Sequence, residues 1–109
     1  MKKILLTPYY TYLTLTRSQP EFLRAYRRLT KQDYGTPMHH AVYGLTITMT
    51  SKGAADSYLV YAKSVSDLAH EFAHVILKLF QEINSDPREG GGEPFAYMMS
   101  HLMEEALKK

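Results

Sequence analysis

His70, Glu71 and His74 are the residues of this chain best suited by type and spacing to do chemistry. They lie in the run His70-Glu71-Phe72-Ala73-His74, which reads H-E-x-x-H. On a helix, side chains four residues apart stack on one face. Two imidazoles at that spacing can grip one Zn²⁺. The intervening Glu71 points about 100° away around the helix, within reach of a water on the metal. This is the donor pattern of a zinc-dependent hydrolase.

A catalytic zinc usually takes three protein ligands and one water. Glu93 follows His74 after a Gly-rich turn, Gly90-Gly91-Gly92, that allows the last helix to fold back. The expected ligand set is His70, His74 and Glu93. His101 is the alternative third ligand, with Glu89 and Asp86 as lesser candidates. Glu71 is the expected general base. Bound zinc brings a water's pKa toward ~7, so hydroxide forms near neutral pH. Tyr97 and His101 fall on the same face as Glu93, at i+4 and i+8. Tyr97 offers a hydroxyl to a developing oxyanion, or orients Glu93. The commoner role of a Tyr or His at a helix interface is packing.

The elements that must position these groups are legible in the pattern. Residues 9–16 are almost wholly β-branched, aromatic or aliphatic, which predicts a strand. Ser18, Pro20 and Glu21 mark a helix start, and Phe22, Ala25, Tyr26 and Leu29 give that helix an apolar stripe. Residues 42–50 alternate, with Tyr43, Leu45, Ile47 and Met49 on one side and Gly44, Thr46, Thr48 and Thr50 on the other. They predict a half-buried strand. A turn over residues 51–56 leads to a further strand over 57–63. Ser64 and Asp67 form a capping pair for the motif helix. Its buried stripe is Leu68, Phe72, Ile76, Leu79 and Ile83. His70, His74, Leu77 and Gln81 lie on the opposite side. Pro94 opens a last helix with Phe95, Met98, Met99 and Leu102. The expected order is β-α-β-β-α-α: one α+β domain over residues 1–109, with a small mixed sheet packed on the H-E-x-x-H helix.

Bulk properties narrow the function classes. The chain has 109 residues, 45% hydrophobic and 22% charged, with a net charge of +2. That is one ordinary domain, and the charge alone does not imply nucleic acid. There is no cysteine, so disulfides are excluded and any zinc must be held by His, Glu or Asp. The apolar start Ile4-Leu5-Leu6 stops at Thr7 and Pro8, short of the ~7–15 residues of a secretory core. No run approaches the ~18 apolar residues of a membrane span. A cytoplasmic protein without membrane partners is expected.

H-E-x-x-H followed by eighteen residues and then Glu93 resembles the gluzincin pattern of zinc metallopeptidases. Gly92-Glu93-Pro94-Phe95-Ala96-Tyr97 further resembles short zincin-like proteins of bacteriophages and prophages. The resemblance covers about residues 42–107. It implies zinc ligation by His70, His74 and Glu93, with Glu71 as base. It also implies a minimal zincin-like domain, a peptide or protein substrate, and, for a phage protein, a host-cytoplasmic location. The same resemblance implies that an edge strand binds an extended peptide by backbone pairing; residues 57–63 are the expected edge. A metzincin is excluded, because Leu77 and Phe80 stand where Gly and His are required.

Three functions follow as expectations. The first is a zinc-dependent peptidase-like hydrolase. The second is a non-catalytic binding or assembly protein that keeps zinc as a staple, suggested by the lack of a second subdomain to wall a cleft. The third is a nucleic-acid-associated factor acting through the Arg-rich helix 18–31, with Arg24, Arg27, Arg28 and Lys31 on it and Arg17 just before it, whose ordinary role is a solvated helix face. His39 and His40 are ordinarily polar loop residues and otherwise line the cleft.

Overall fold

Two serines set where the first two helices begin. Ser18 accepts a hydrogen bond from the Glu21 amide at 3.2 Å, opening α1 (Gln19–Thr30). Ser64 and Asp67 satisfy each other's amides in a full capping box that opens α2 (Val65–Glu82), the H-E-x-x-H helix. Such caps contribute ~1 kcal/mol each. The structure is a computed structural model, and it describes residues 1–6, 9, 11–35, 43–50 and 56–108. His39 and His40 lie outside the described residues.

The other elements are β1 (Lys2–Leu5), β2 (Tyr12–Thr16), β3 (Gly44–Met49), β4 (Ser57–Ala62) and α3 (Glu93–Leu107), with a short 3-10 turn at Glu89–Gly92 before α3. They form a small α+β domain around a four-stranded mixed sheet of order β1-β2-β4-β3. β1 pairs antiparallel with β2, β2 parallel with β4, and β3 antiparallel with β4.

Two expectations about the sheet need correction. The expected order lacked β1, because Lys2–Leu5 is too short and too mixed to show a period of two. Residues 57–63 were expected at the edge, yet β4 is central, hydrogen-bonded to β2 on one side and β3 on the other. Its burial agrees: Tyr58, Leu59, Val60, Tyr61 and Ala62 are all buried, as a strand covered on both faces requires. β3 is the edge.

The sheet carries helices on both faces. Leu13, Leu15, Tyr58 and Val60 meet Leu68, Phe72, Ile76 and Leu79 of α2 and Met98 and Leu102 of α3. On the other face Leu59 and Tyr61 meet Phe22 and Ala25 of α1, flanked by Leu45, Ile47 and Met49. α3 is tied to α2 by an edge-on contact of Phe95 with Phe80, ring centroids 6.4 Å apart. At its far end the Lys2 ammonium donates to the carbonyls of Glu105 and Lys108, where the helix dipole favours a cation. Ile83, expected in the buried stripe, is 39% exposed because α2 ends at Glu82.

Tyr58 is fully buried beneath α2, with its hydroxyl 3.4 Å from Glu82 Oε2. Burial first, then the Glu82 and Asp56 charges, push its ionisation well above the ordinary 10.0. The folded state therefore holds this proton more tightly than the unfolded chain. Its contribution is intact below pH 10.0 and is lost as pH climbs beyond. Tyr58→Phe is expected to move the alkaline unfolding midpoint upward and to change stability at pH 7 by ~1 kcal/mol or less. Denaturant melts between pH 7 and 12 check this.

Candidate metal and hydrolytic site

α2 is rotated so that Leu68, Phe72, Val75, Ile76 and Leu79 are buried. That rotation sends His70 and His74 to the exposed side of the helix. Their rings meet edge to face, centroids 4.9 Å apart, as the i, i+4 spacing dictates. Glu71 goes the other way. Its side chain is only 8% exposed, against 69% for His70, and His70 Nε2 stands 3.9 Å from Glu71 Oε2.

Burying a carboxylate is costly without a donor. Here Thr46 of β3 donates its hydroxyl to Glu71 Oε1 at 2.7 Å, a charge-assisted bond of the stronger class. Gly44, two residues earlier on the same strand face, provides the space. A Cβ there would lie 2.8 Å from Glu71 Oε2 and 2.9 Å from its Cγ. The polar side of β3, which alternation alone marks as an ordinary strand face, is thus the wall against which Glu71 rests.

β3 also exposes backbone. Lys63 donates its amide to the Tyr43 carbonyl at 3.0 Å, continuing the register in which Gly44 faces Ala62 and Thr46 faces Val60. In an antiparallel ladder the hydrogen-bonded pairs alternate. Residues 45, 47 and 49 therefore turn their amides and carbonyls toward β4. Gly44, Thr46 and Thr48 turn theirs outward, and no described strand lies beyond them. The outward backbone groups and the two residues that contact Glu71 are the same segment.

The remaining candidates are distributed as follows. Glu93 is exposed at the head of α3, two residues before Phe95. Since Phe95 packs on Phe80, this end of α3 lies beside the last turns of α2, ~9 Å along the helix from His74. The fold-back comes from Gly90, Gly91 and Gly92, all at φ between 61° and 81°, a left-handed conformation suited to glycine. Tyr97 is 73% exposed. His101 places Nε2 2.9 Å from the Leu5 carbonyl of β1, at the opposite edge of the sheet from β3. Asp86 is gripped by Arg88 through Nε and Nη2 at 3.1 and 3.0 Å, which holds its carboxyl below the ordinary value. Glu89 is exposed in the turn. Among the described residues no group of three or more His, Asp or Glu is gathered for a metal. The structure thus brings together His70, His74 and Glu71, and leaves Glu93 and His101 apart from them.

Gly44 and Thr46 are the contributors that sequence reasoning missed. A glycine and a threonine on the polar side of a strand gave one faint signal: that side had to face something other than the apolar core. No protein-family model, curated protein or solved structure matches this chain. Among the described residues no helix is long and apolar enough to cross a membrane.

Gly44→Ala is expected to cost ~1–3 kcal/mol by overpacking against Glu71. In a Glu71→Ala background the same substitution should cost at least ~1 kcal/mol less. A double-mutant cycle of urea melts measures that coupling; additive effects would mean that the two side chains do not touch.

Proposed function

We propose that the chain is a zinc-dependent, peptidase-like hydrolase whose working face lies between α2 and the β3 edge. The observation that carries this reading is the Glu71 carboxylate, buried beside an exposed histidine pair and held by a residue of an open edge strand. The fit to zinc is partial. His70 and His74 have the donor type and spacing for two ligand positions. Glu93 is the proposed third ligand, and it must approach the pair from the head of α3; His101 is the lesser candidate, since it is engaged with β1.

Zinc, when bound, supplies a water of lowered pKa and polarises a carbonyl. The chain's own residues do the rest. Outward amides and carbonyls of Gly44, Thr46 and Thr48 suit an extended peptide by strand addition. Thr46 then touches both sides of the reaction, its backbone on the peptide and its hydroxyl on Glu71. Glu71 takes the proton of the attacking water and delivers it to the leaving amine. Tyr97, exposed on α3, is the proposed donor to the oxyanion or orienter of Glu93. The zincin-like architecture, the phage origin and the cytoplasmic location belong to the same proposal.

A second reading rests on the exposure of the pair: His70 and His74 stand on the solvent side of α2, where a metal can link them to further donors without an enclosed reaction site. In it, zinc on His70 and His74 serves as a staple in a binding or assembly protein, and nothing is cleaved.

Metal analysis of the purified protein with His70→Ala, Glu93→Ala and Glu71→Gln, together with mass spectrometry of a digested peptide mixture, tests the proposal. The expected outcome is stoichiometric zinc, lost in His70→Ala and Glu93→Ala. Glu71→Gln should keep zinc and lose at least ~100-fold in cleavage. Undiminished cleavage by Glu71→Gln would refute the mechanism. Zinc retained in Glu93→Ala would move the third position elsewhere. Zinc that raises the melting temperature with no cleavage would select the staple, and a metal-free protein indifferent to chelator would end both readings.

A further inference from the structure

The face of the sheet opposite the H-E-x-x-H helix carries a second constellation. Arg24, Arg27, Arg28 and Lys31 recur at i, i+3, i+4 and i+7, and all are exposed. They form one basic stripe along α1, about 10 Å long. Beside it, between α1 and the sheet, is a concavity of about 360 Å³ lined by Met1, Lys3, Tyr12, Thr14, Arg28 and Leu29. It offers an ammonium, a guanidinium and two hydroxyls, and its lining contains no carboxylate.

Two acids lie near this surface and each is already paired, Glu21 at the concavity itself through Met1. Glu21 pairs with the terminal ammonium at 3.3 Å and accepts from the Arg17 amide. Asp33 lies 3.6 Å from Arg27, with both side chains open to water, so that pair adds little. Arg28 donates to the Met1 sulfur at 3.2 Å. Lys3 rests over the Tyr12 ring, 4.2 Å from its centroid. Among the described residues Lys3, Arg24, Arg28 and Lys31 form no ion pair. Arg17 is separate: its guanidinium caps the carbonyls of Ala62 and Lys63 and is part of the fold.

The geometry points to a phosphate-binding surface for single-stranded nucleic acid, seated in this concavity and continued along the α1 stripe. Three arginines and a lysine in line, with tyrosine and threonine hydroxyls at the floor, are the side chains that contact phosphodiester backbones. The stripe runs beyond the concavity, which suits a polymer better than a lone phosphate. This surface is independent of the metal reading, since α1 and α2 pack on opposite faces of the sheet.

Fluorescence anisotropy with a labelled 20-nucleotide oligo(dT) and oligo(rU), at 50 to 200 mM salt, tests it. Four free cations predict a log–log salt slope near −3, or about a 60-fold loss of affinity across that range. Arg28→Glu should weaken binding at least tenfold and flatten the slope by ~0.7. Arg24→Glu, at an exposed position, should act in the same direction. Lys78→Glu makes the same charge change on α2 and should stay within about twofold. Circular dichroism melts establish that each variant is folded. No binding at 50 mM salt overturns the proposal. So does an equal loss in Lys78→Glu, which would reduce the effect to net charge. Binding to phosphatidylserine vesicles without binding to either oligonucleotide would overturn it in favour of a membrane surface, and saturable inorganic phosphate binding alone in favour of a small ligand.

Discussion

The rotation of α2 about its own axis governs the rest of the structure. Leu68, Phe72, Val75, Ile76 and Leu79 are buried to 1% exposure or less, and each contributes ~1.5–3 kcal/mol by leaving water. Turning the helix by one residue would swing that stripe by 100° and forfeit most of it. The core therefore fixes where every polar side chain of α2 must go. His70 and His74 are driven to solvent, and Glu71 is driven against β3. The placement of Glu71 beside the two histidines is a by-product of hydrophobic packing, and it cannot relax without unfolding the helix from the sheet.

That burial imposes a demand on β3. A carboxylate forced beneath a strand needs a donor and a gap, and Thr46 and Gly44 meet the two needs separately. The remaining residues of β3 are under a different constraint. Leu45, Ile47 and Met49 flank the α1 cluster. One six-residue strand thus divides its two faces between an apolar cluster and a polar wall, and its outer edge remains open among the described residues.

Much of this was legible from periodicity. The caps at Ser18 and Ser64, the stripe of α2 and the separation of the histidines from that stripe follow from local pattern, because each is decided within one or two helical turns. The hairpin of β3 and β4 was legible for the same reason. Strand order was not, since pairing of β2 with β4 joins residues 45 positions apart, Leu13 with Tyr58, and leaves no local mark. The short β1 was hidden by its mixed composition. The role of Thr46 was hidden because a polar strand face reads the same whether it meets water or a buried carboxylate. The spacing of Glu93 was legible, but spacing constrains only contour length. The side to which α3 returns depends on Phe95 and Phe80 and on three left-handed glycines acting together.

The parallel pairing of β2 with β4 has a consequence for how the molecule assembles. Every residue of the histidine face and its wall lies between Gly44 and Glu82, in one uninterrupted strand–strand–helix stretch. Every residue of the basic surface lies between Met1 and Lys31. The two surfaces are therefore written in successive halves of the chain, and the backbone seam between them is the β2–β4 ladder. Closing that seam across 45 residues costs about 3 kcal/mol of loop entropy before any long-range contact is made. Each half can order its own hairpin quickly, and joining them should set the pace of folding.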